Sequence, residues 1–332
     1  MAPTDTQDGP ASPGWGLVLG GGGSVGIAHV SGTLRALAEH GVDLPGAGLV
    51  IGTSAGAVAA AALRKGAAPE DLLAFADAAP DDLATAAGRA PRHYEPAWAT
   101  RRELWHRAIG SSAVVGRSML RLPIPVPPPR VDVAYPGGLF RPRGDGMTTR
   151  LGVAWPDAPL WVVAVDLETR RRVALGRHPA DRMLPLHRAI MASCAVPGVY
   201  EPVVLHGRRL VDGGVNSTTS LDLAVRAGCS RVIAVVPMGW QGDGRPPSAG
   251  HRLIRGAAVR GVRRELRRAG DRARDVLVVQ PHVDDLALHG TNFLRGTDNG
   301  RVAERAYDRA RTLLEQPEAA EFVAALVDAS AS

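Results

Sequence analysis

The stretch Leu49–Val58, LVIGTSAGAV, sets one serine between two glycines, directly after a short apolar run and directly before a run of alanines. Three consecutive apolar residues between Gly48 and Gly52 read as a buried strand, and the alanine-rich segment that follows reads as a helix. The chain must therefore pass from strand to helix within about one residue, at Ser54. Gly52 and Gly56 then have two readings: they are packing spacers, or they allow a turn tight enough to push the Ser54 hydroxyl outward. The spacing G-x-S-x-G in this strand-to-helix context matches a nucleophile elbow.

The neighbouring sequence extends the same pattern. Trp15–Leu19 is another short apolar run, Gly20–Gly26 (GGGGSVG) a loop, and Ile27–His40 has helical periodicity up to the stop at Gly41. A helix over Ala55–Arg64 and a third beginning after Pro69 complete a strand–helix–strand–helix order. That order predicts a three-layer α/β/α fold around a mostly parallel sheet. Further strands are expected at Trp161–Val165, at Arg172–Leu175 after a hairpin through Arg170-Arg171, on either side of a turn at His206–Arg208, at Arg231–Val236 and at Val276–Gln280. Helices are expected at His187–Ala192, Leu221–Ala227, Arg252–Arg274, Arg301–Leu314 and Ala319–Ala329.

Between about 80 and 150 the chain changes character. The run RLPIPVPPPRVDVAYPGGLFRPRGDG (Arg121–Gly146) is too rich in proline for regular structure. It is read as a lid or cap inserted into the sheet domain, with a short helix around 101–109. Residues 1–14, polar and rich in proline, read as a disordered tail without the basic and apolar regions of a signal peptide. The expected organisation is a tail (1–14), one hydrolase-like domain (15–300) carrying the cap, and C-terminal helices (301–332) packed on it.

Composition narrows the function classes. The net charge of +6 comes almost wholly from arginine, Lys65 being the sole lysine, and it is compatible with anionic surfaces of several kinds. Aromatic residues are only 4%, and no basic motif with interleaved aromatics is present, so nucleic acid is not an expected partner. Cys194 and Cys229 are too few for a disulfide framework, no Cys/His spacing suits a metal, and no cofactor is called for. The uncharged stretch from Gly46 to Leu63 is broken by Thr53, Ser54 and four glycines, so it does not read as a membrane span. A cytoplasmic protein is expected, with contact at the membrane periphery at most.

A nucleophilic serine needs donors for an oxyanion and a base. Gly21-x-Gly23-x-x-Gly26 satisfies a dinucleotide-binding pattern, but the acidic residue which that pattern wants near the end of the second strand is missing. The other role for the loop is an oxyanion hole built from the backbone amides of Gly21, Gly22, Gly23 and Ser24. Late histidines (His251, His282, His289) stand in no recognisable catalytic loop, although a Ser-His-Asp triad would require one of them. Asp212 stands at the end of a strand in LVDGGVNS. There Gly213 and Gly214 permit close backbone approach, and desolvation would raise its basicity. Taken alone, DGG also reads as an ordinary turn.

Together the three motifs, Gly21–Gly26, Gly52–Gly56 and Asp212–Gly214, resemble the patatin-like phospholipases, Ser–Asp dyad acyl hydrolases. The segment AIMASCAVPGVYEPV (Ala189–Val203) is similar to the one that precedes the family's aspartate turn. The resemblance implies Ser54 as nucleophile, Asp212 as general base, the Gly21–Ser24 backbone as oxyanion hole, and a lipid or small ester as substrate. It departs at Val25, where the family commonly has Arg or Lys; a non-catalytic lipid-binding protein is the alternative that this departure raises.

Other residues have plainer readings. The helix from Arg252 carries an apolar row (Ile254, Ala258, Val262, Leu266, Ala269, Ala273) and arginines at 255, 260, 263, 264, 267 and 268. Those arginines read as a solvated face, or as a contact with an anionic membrane surface. Cys194 reads as a small buried residue, Asp166 as a structural hydrogen-bond acceptor and His29 as a packed core histidine.

Overall fold

The computed structural model describes residues 13–77, 94–96, 100, 103, 140–142, 150–293 and 298–331. Strand β1 (Gly16–Leu19) leads through the glycine loop into α1 (Gly23–Glu39), and β2 (Leu49–Thr53) through Ser54 into α2 (Ala55–Arg64). Next come α3 (Leu72–Asp77) and a two-stranded antiparallel pair of β3 (Tyr94–Pro96) with β4 (Phe140–Pro142). The hairpin of β5 (Leu160–Asp166) and β6 (Arg172–Leu175) precedes α4 (Leu186–Ser193), β7 (Val203–Leu205) and β8 (Arg208–Asp212). The remainder is α5 (Leu221–Arg226), β9 (Val232–Val235), α6 (Ala249–Ala269), β10 (Val276–Val279), α7 (Leu286–His289), α8 (Asn299–Leu314) and α9 (Pro317–Ala331).

The main sheet has eight strands. The run β10-β9-β1-β2-β5 is parallel throughout, while β6, β7 and β8 add antiparallel pairings. Strand residues alternate between two cores because successive side chains point to opposite faces. Leu17, Leu19, Val50, Ile233 and Val235 pack with α1, α2, α4, α8 and α9, whereas Val18, Ile51, Val232 and Ala234 pack with α5 and α6. Helices on both faces make this the three-layer α/β/α fold with a mixed, mostly parallel sheet that the element order predicts.

Two boundaries differ from the sequence reading. Helix α1 begins at Gly23 rather than Ile27, so its first turn lies inside the glycine loop. Pro13 and Gly14 of the expected tail are described, and the Gly14 carbonyl accepts the Ser230 N–H at 2.7 Å; residues 1–12 lie outside the described residues. Most of the expected cap, including nearly all of the expected helix around 101–109, also lies outside them.

The arginine-rich helix departs most. Its buried stripe is His251, Arg255, Ala258, Val262 and Glu265, spaced four, three, four and three, while Ile254 and Leu266 of the expected row are only half-buried. A row spaced by four drifts about 40° around an α-helix at each step, so it leaves the face that alternating fours and threes would keep. Arg255 is therefore not on the solvated face; it is fully buried.

Candidate active site

The sharp join at Ser54 is forced sterically. A Cβ on Gly56 would lie 2.0 Å from the Leu19 carbonyl oxygen, and one on Gly52 would lie 2.4 Å from the Ala57 Cα. Only hydrogen fits at either position, so α2 packs back directly on β1 and β2. Ser54 itself takes φ 55° and ψ −125°, a conformation L-residues rarely adopt and one that stores of order 1–3 kcal/mol. Two glycines thus turn the serine outward at the C-terminal end of β2, where it is partly exposed.

Sequence reasoning did not single out the residue that holds this strained turn. The Ser193 hydroxyl, fully buried at the end of α4, accepts the Ser54 N–H at 2.8 Å and donates to the Val163 carbonyl at 2.5 Å. It lies within the segment Ala189–Val203, the signal through which it could have been found.

Strand register brings Asp212 to the same place. Val162 and Val163 pair with β2 on one edge of β5 and with β6 on the other; Ala164 and Val165 pair with β6 and with β8. Strands β2 and β8 therefore share one edge of β5 and run towards each other along it. They meet where Thr53 pairs with Val163 and Asp212 with Ala164. Gly213 closes the junction: a Cβ there would lie 2.5 Å from the Val163 oxygen and 3.0 Å from the Thr53 methyl.

Asp212 is 2% exposed, its carboxylate accepts the Gly214 N–H at 2.7 Å, and the Ser54 hydroxyl stands beside it. Burial pushes its pKa from an ordinary 3.8 up to about 6, against the opposing pull of those two donors. The Cys194 thiol also contacts Ser54. Burial and the Asp212 charge drive its pKa far upward, so it stays protonated and is no second nucleophile.

The glycine loop lies against the serine: a Cβ on Gly21 would be 3.1 Å from the Ser54 Cβ and 3.8 Å from its Oγ. The four expected oxyanion donors divide here. The Gly21 N–H is already committed to the Thr218 carbonyl at 2.8 Å, which removes it from the donor set. The first turn of α1 leaves the amides of Gly22, Gly23 and Ser24 without a helical acceptor, because a helix's first N–H groups have no carbonyl behind them. Gly26, by contrast, donates to Gly22 as the first helical bond, and the Val25 N–H reaches the Phe293 carbonyl at 3.3 Å. The free amides and the positive end of a 17-residue helix coincide beside Ser54.

The remaining candidates sit elsewhere. Asp166 accepts the Glu168 and Thr169 amides at 2.8 and 3.2 Å, fixing the β5–β6 turn. His251 bonds Ser248 and the Leu286 carbonyl, and His282 accepts the Asp284 amide. His29 and His289 pack edge to face at 5.4 Å, and burial lowers the pKa of His29 to about 3. Among the described residues no cluster could hold a metal ion, and no helix is long and apolar enough to cross a membrane.

A sequence profile described as patatin-like phospholipase matches residues 17–225, more than half of the chain. The chain belongs to the patatin-like phospholipase family. Uncharacterised NTE family proteins of Mycobacterium bovis and Mycobacterium tuberculosis are 31% identical to it over 212 residues, covering 62% of this chain and 44% of theirs. The chain thus spans less than half the length of these curated relatives. Among solved structures, VipD from Legionella pneumophila is similar with a TM-score of 0.43 and 14% identity, over 91% of this chain and 66% of that one. The type III effector ExoU is similar with a TM-score of 0.39 and 17% identity, over 92% and 54%. The matched span contains the elbow, the glycine loop and the aspartate turn.

Proposed function

We propose that this family member is a serine acyl hydrolase that cleaves fatty-acyl esters of lipids through an acyl-Ser54 intermediate, with Asp212 as its base. The observation that carries this reading is the placement of a strained, outward-turned serine beside a buried carboxylate of raised basicity. In the first step Ser54 Oγ attacks the ester carbonyl carbon while its proton passes to Asp212. The resulting oxyanion is received by the amides of Gly22, Gly23 and Ser24, each such donor being worth roughly 3–4 kcal/mol in the transition state. Collapse expels the alcohol, which leaves with the proton held by Asp212. Water, deprotonated by Asp212, then attacks the acyl carbon; as the second intermediate collapses, Asp212 returns that proton to Ser54 Oγ, and the fatty acid leaves.

The family supports a lipid ester as substrate class. Arginines on the exposed side of α6 suit contact with an anionic membrane surface. The deciding experiment is labelling with a fluorophosphonate probe beside turnover of a phospholipid and a p-nitrophenyl ester. Wild-type protein is expected to label and turn over, Ser54→Ala to do neither, and Asp212→Asn to lose turnover. Lipid binding without turnover or labelling in the wild type would replace this reading with the non-catalytic one.

A further inference from the structure

Beneath the glycine loop lies a charged residue that the dyad does not use. Arg255, on the buried stripe of α6, is 0% exposed. One of its terminal nitrogens donates to the Pro237 carbonyl at 2.8 Å and the Gly239 carbonyl at 3.0 Å. The guanidinium also lies over the Phe293 ring, 5.0 Å from its centre. Its other two nitrogens have no hydrogen-bond partner, and among the described residues no carboxylate pairs with it. Removing a cation from water this completely is costly.

Both segments that Arg255 grips lean on the glycine loop. The Pro237 Cβ lies 3.1 Å from where a Cβ on Gly22 would stand and 3.5 Å from that on Gly26, so this ring is the loop's floor. The Phe293 carbonyl accepts the Val25 N–H and the Ser24 hydroxyl, each at 3.3 Å. One guanidinium thus ties together the two supports on either side of the Gly22–Gly26 turn.

We infer that Arg255 is a positioning residue for the oxyanion hole, fixing the Gly22–Ser24 amides through Pro237 and Phe293 and lending them an uncompensated positive charge. This rests on the acyl hydrolase reading for its catalytic consequence, but the loop-holding role stands independently of it. Bonds made to main-chain carbonyls and a ring face specify position without touching substrate, so loss of Arg255 acts on the transition state and not on ground-state binding.

The test compares wild type with Arg255→Met, Arg255→Lys and, as a surface control on α6, Arg267→Met. Two readouts are taken: kcat and KM on a p-nitrophenyl ester, and hydrogen exchange over residues 20–26 against α2. For folded Arg255→Met, kcat is expected to fall about tenfold or more with KM within about twofold, and exchange over 20–26 to quicken while α2 stays unchanged. Arg255→Lys, which keeps the charge without the planar fork, is expected to recover part of both. If Arg255→Met does not fold, the lysine variant carries the same comparison. Wild-type kcat, or wild-type exchange over 20–26, in the folded variant overturns the inference. Absence of turnover in the wild type, or its persistence in Ser54→Ala, is instead a failure of the acyl hydrolase reading, and exchange alone then decides whether Arg255 holds the loop.

Discussion

Thr53 and Asp212 end two strands that run head to head along one edge of β5, Thr53 opposite Val163 and Asp212 opposite Ala164. The residue after Thr53 is Ser54, so the contact between serine and carboxylate is set by main-chain register rather than by long flexible side chains. Ladder hydrogen bonds of both strands to β5 thus fix where the pair's main chains meet.

That junction has room only for glycine. Gly213→Ala drives a methyl group into the Val163 carbonyl and the Thr53 side chain, so the end of β8 must shift away from β2. A destabilisation of about 1–3 kcal/mol is expected, with kcat lowered more than tenfold in the protein that folds. Denaturant unfolding and ester turnover check both; an alanine variant with unchanged kcat would mean that the register does not govern the dyad.

Asp212 controls opposite responses of activity and stability to pH. Its carboxyl holds a proton up to about pH 6 in the folded chain but only to 3.8 when free, so ionising it opposes folding. This cost is absent below pH 3.8, grows through the window between the two values and is complete above about pH 6. It amounts to about 3 kcal/mol. Asp212→Asn should therefore unfold at higher temperature than wild type at pH 8, with the difference shrinking towards pH 4. On the proposed mechanism turnover requires the ionised base, so wild-type kcat/KM should rise with pH to a plateau above about 6, and the asparagine variant should lose about a thousandfold or more. Calorimetry at several pH values and a pH–rate profile measure the two arms.

Ser193 holds the elbow from behind. Ser193→Ala leaves the Ser54 N–H and the Val163 carbonyl without their shared partner, each a buried polar group worth about 1–3 kcal/mol when unsatisfied. Slower fluorophosphonate labelling is expected beside the lowered stability. Labelling at the wild-type rate would show that Gly52 and Gly56 hold the turn unaided.

Releasing the strain is expected to stabilise. Ser54→Gly frees a position at φ 55° and should raise the melting temperature, whereas Ser54→Ala keeps the strained backbone and should change it less. Equal melting temperatures for the two variants would argue against stored strain.

Local chemistry was readable where it is local. Gly52, Ser54 and Gly56 lie within one turn of chain, so the steric demand that makes an elbow is written in adjacent residues, and the strand–helix alternation around it dictates a mostly parallel sheet. The alternation of Leu17, Val18 and Leu19 between two cores follows from the strand period alone. The three glycine-bearing motifs were likewise recognisable as a set, because each depends on a backbone without a side chain.

Other assignments depend on which segments meet in space. The amide of Gly21 was a donor in the sequence reading, yet the carbonyl of Thr218, nearly two hundred positions later, occupies it. Ser193 is one hydroxyl among many until α4 delivers it to Ser54. On α6 the arginines look alike along the chain, and only packing against Pro237 and Phe293 separates buried Arg255 from its solvated neighbours. Sequence alone determined the elbow, the glycine loop and the layered fold, since steric exclusion and residue periodicity act over a few bonds. Tertiary structure alone decided which amides stay free, which hydroxyl backs the elbow and which cation lies in the core, since desolvation and hydrogen-bond partnership are properties of distant segments brought together.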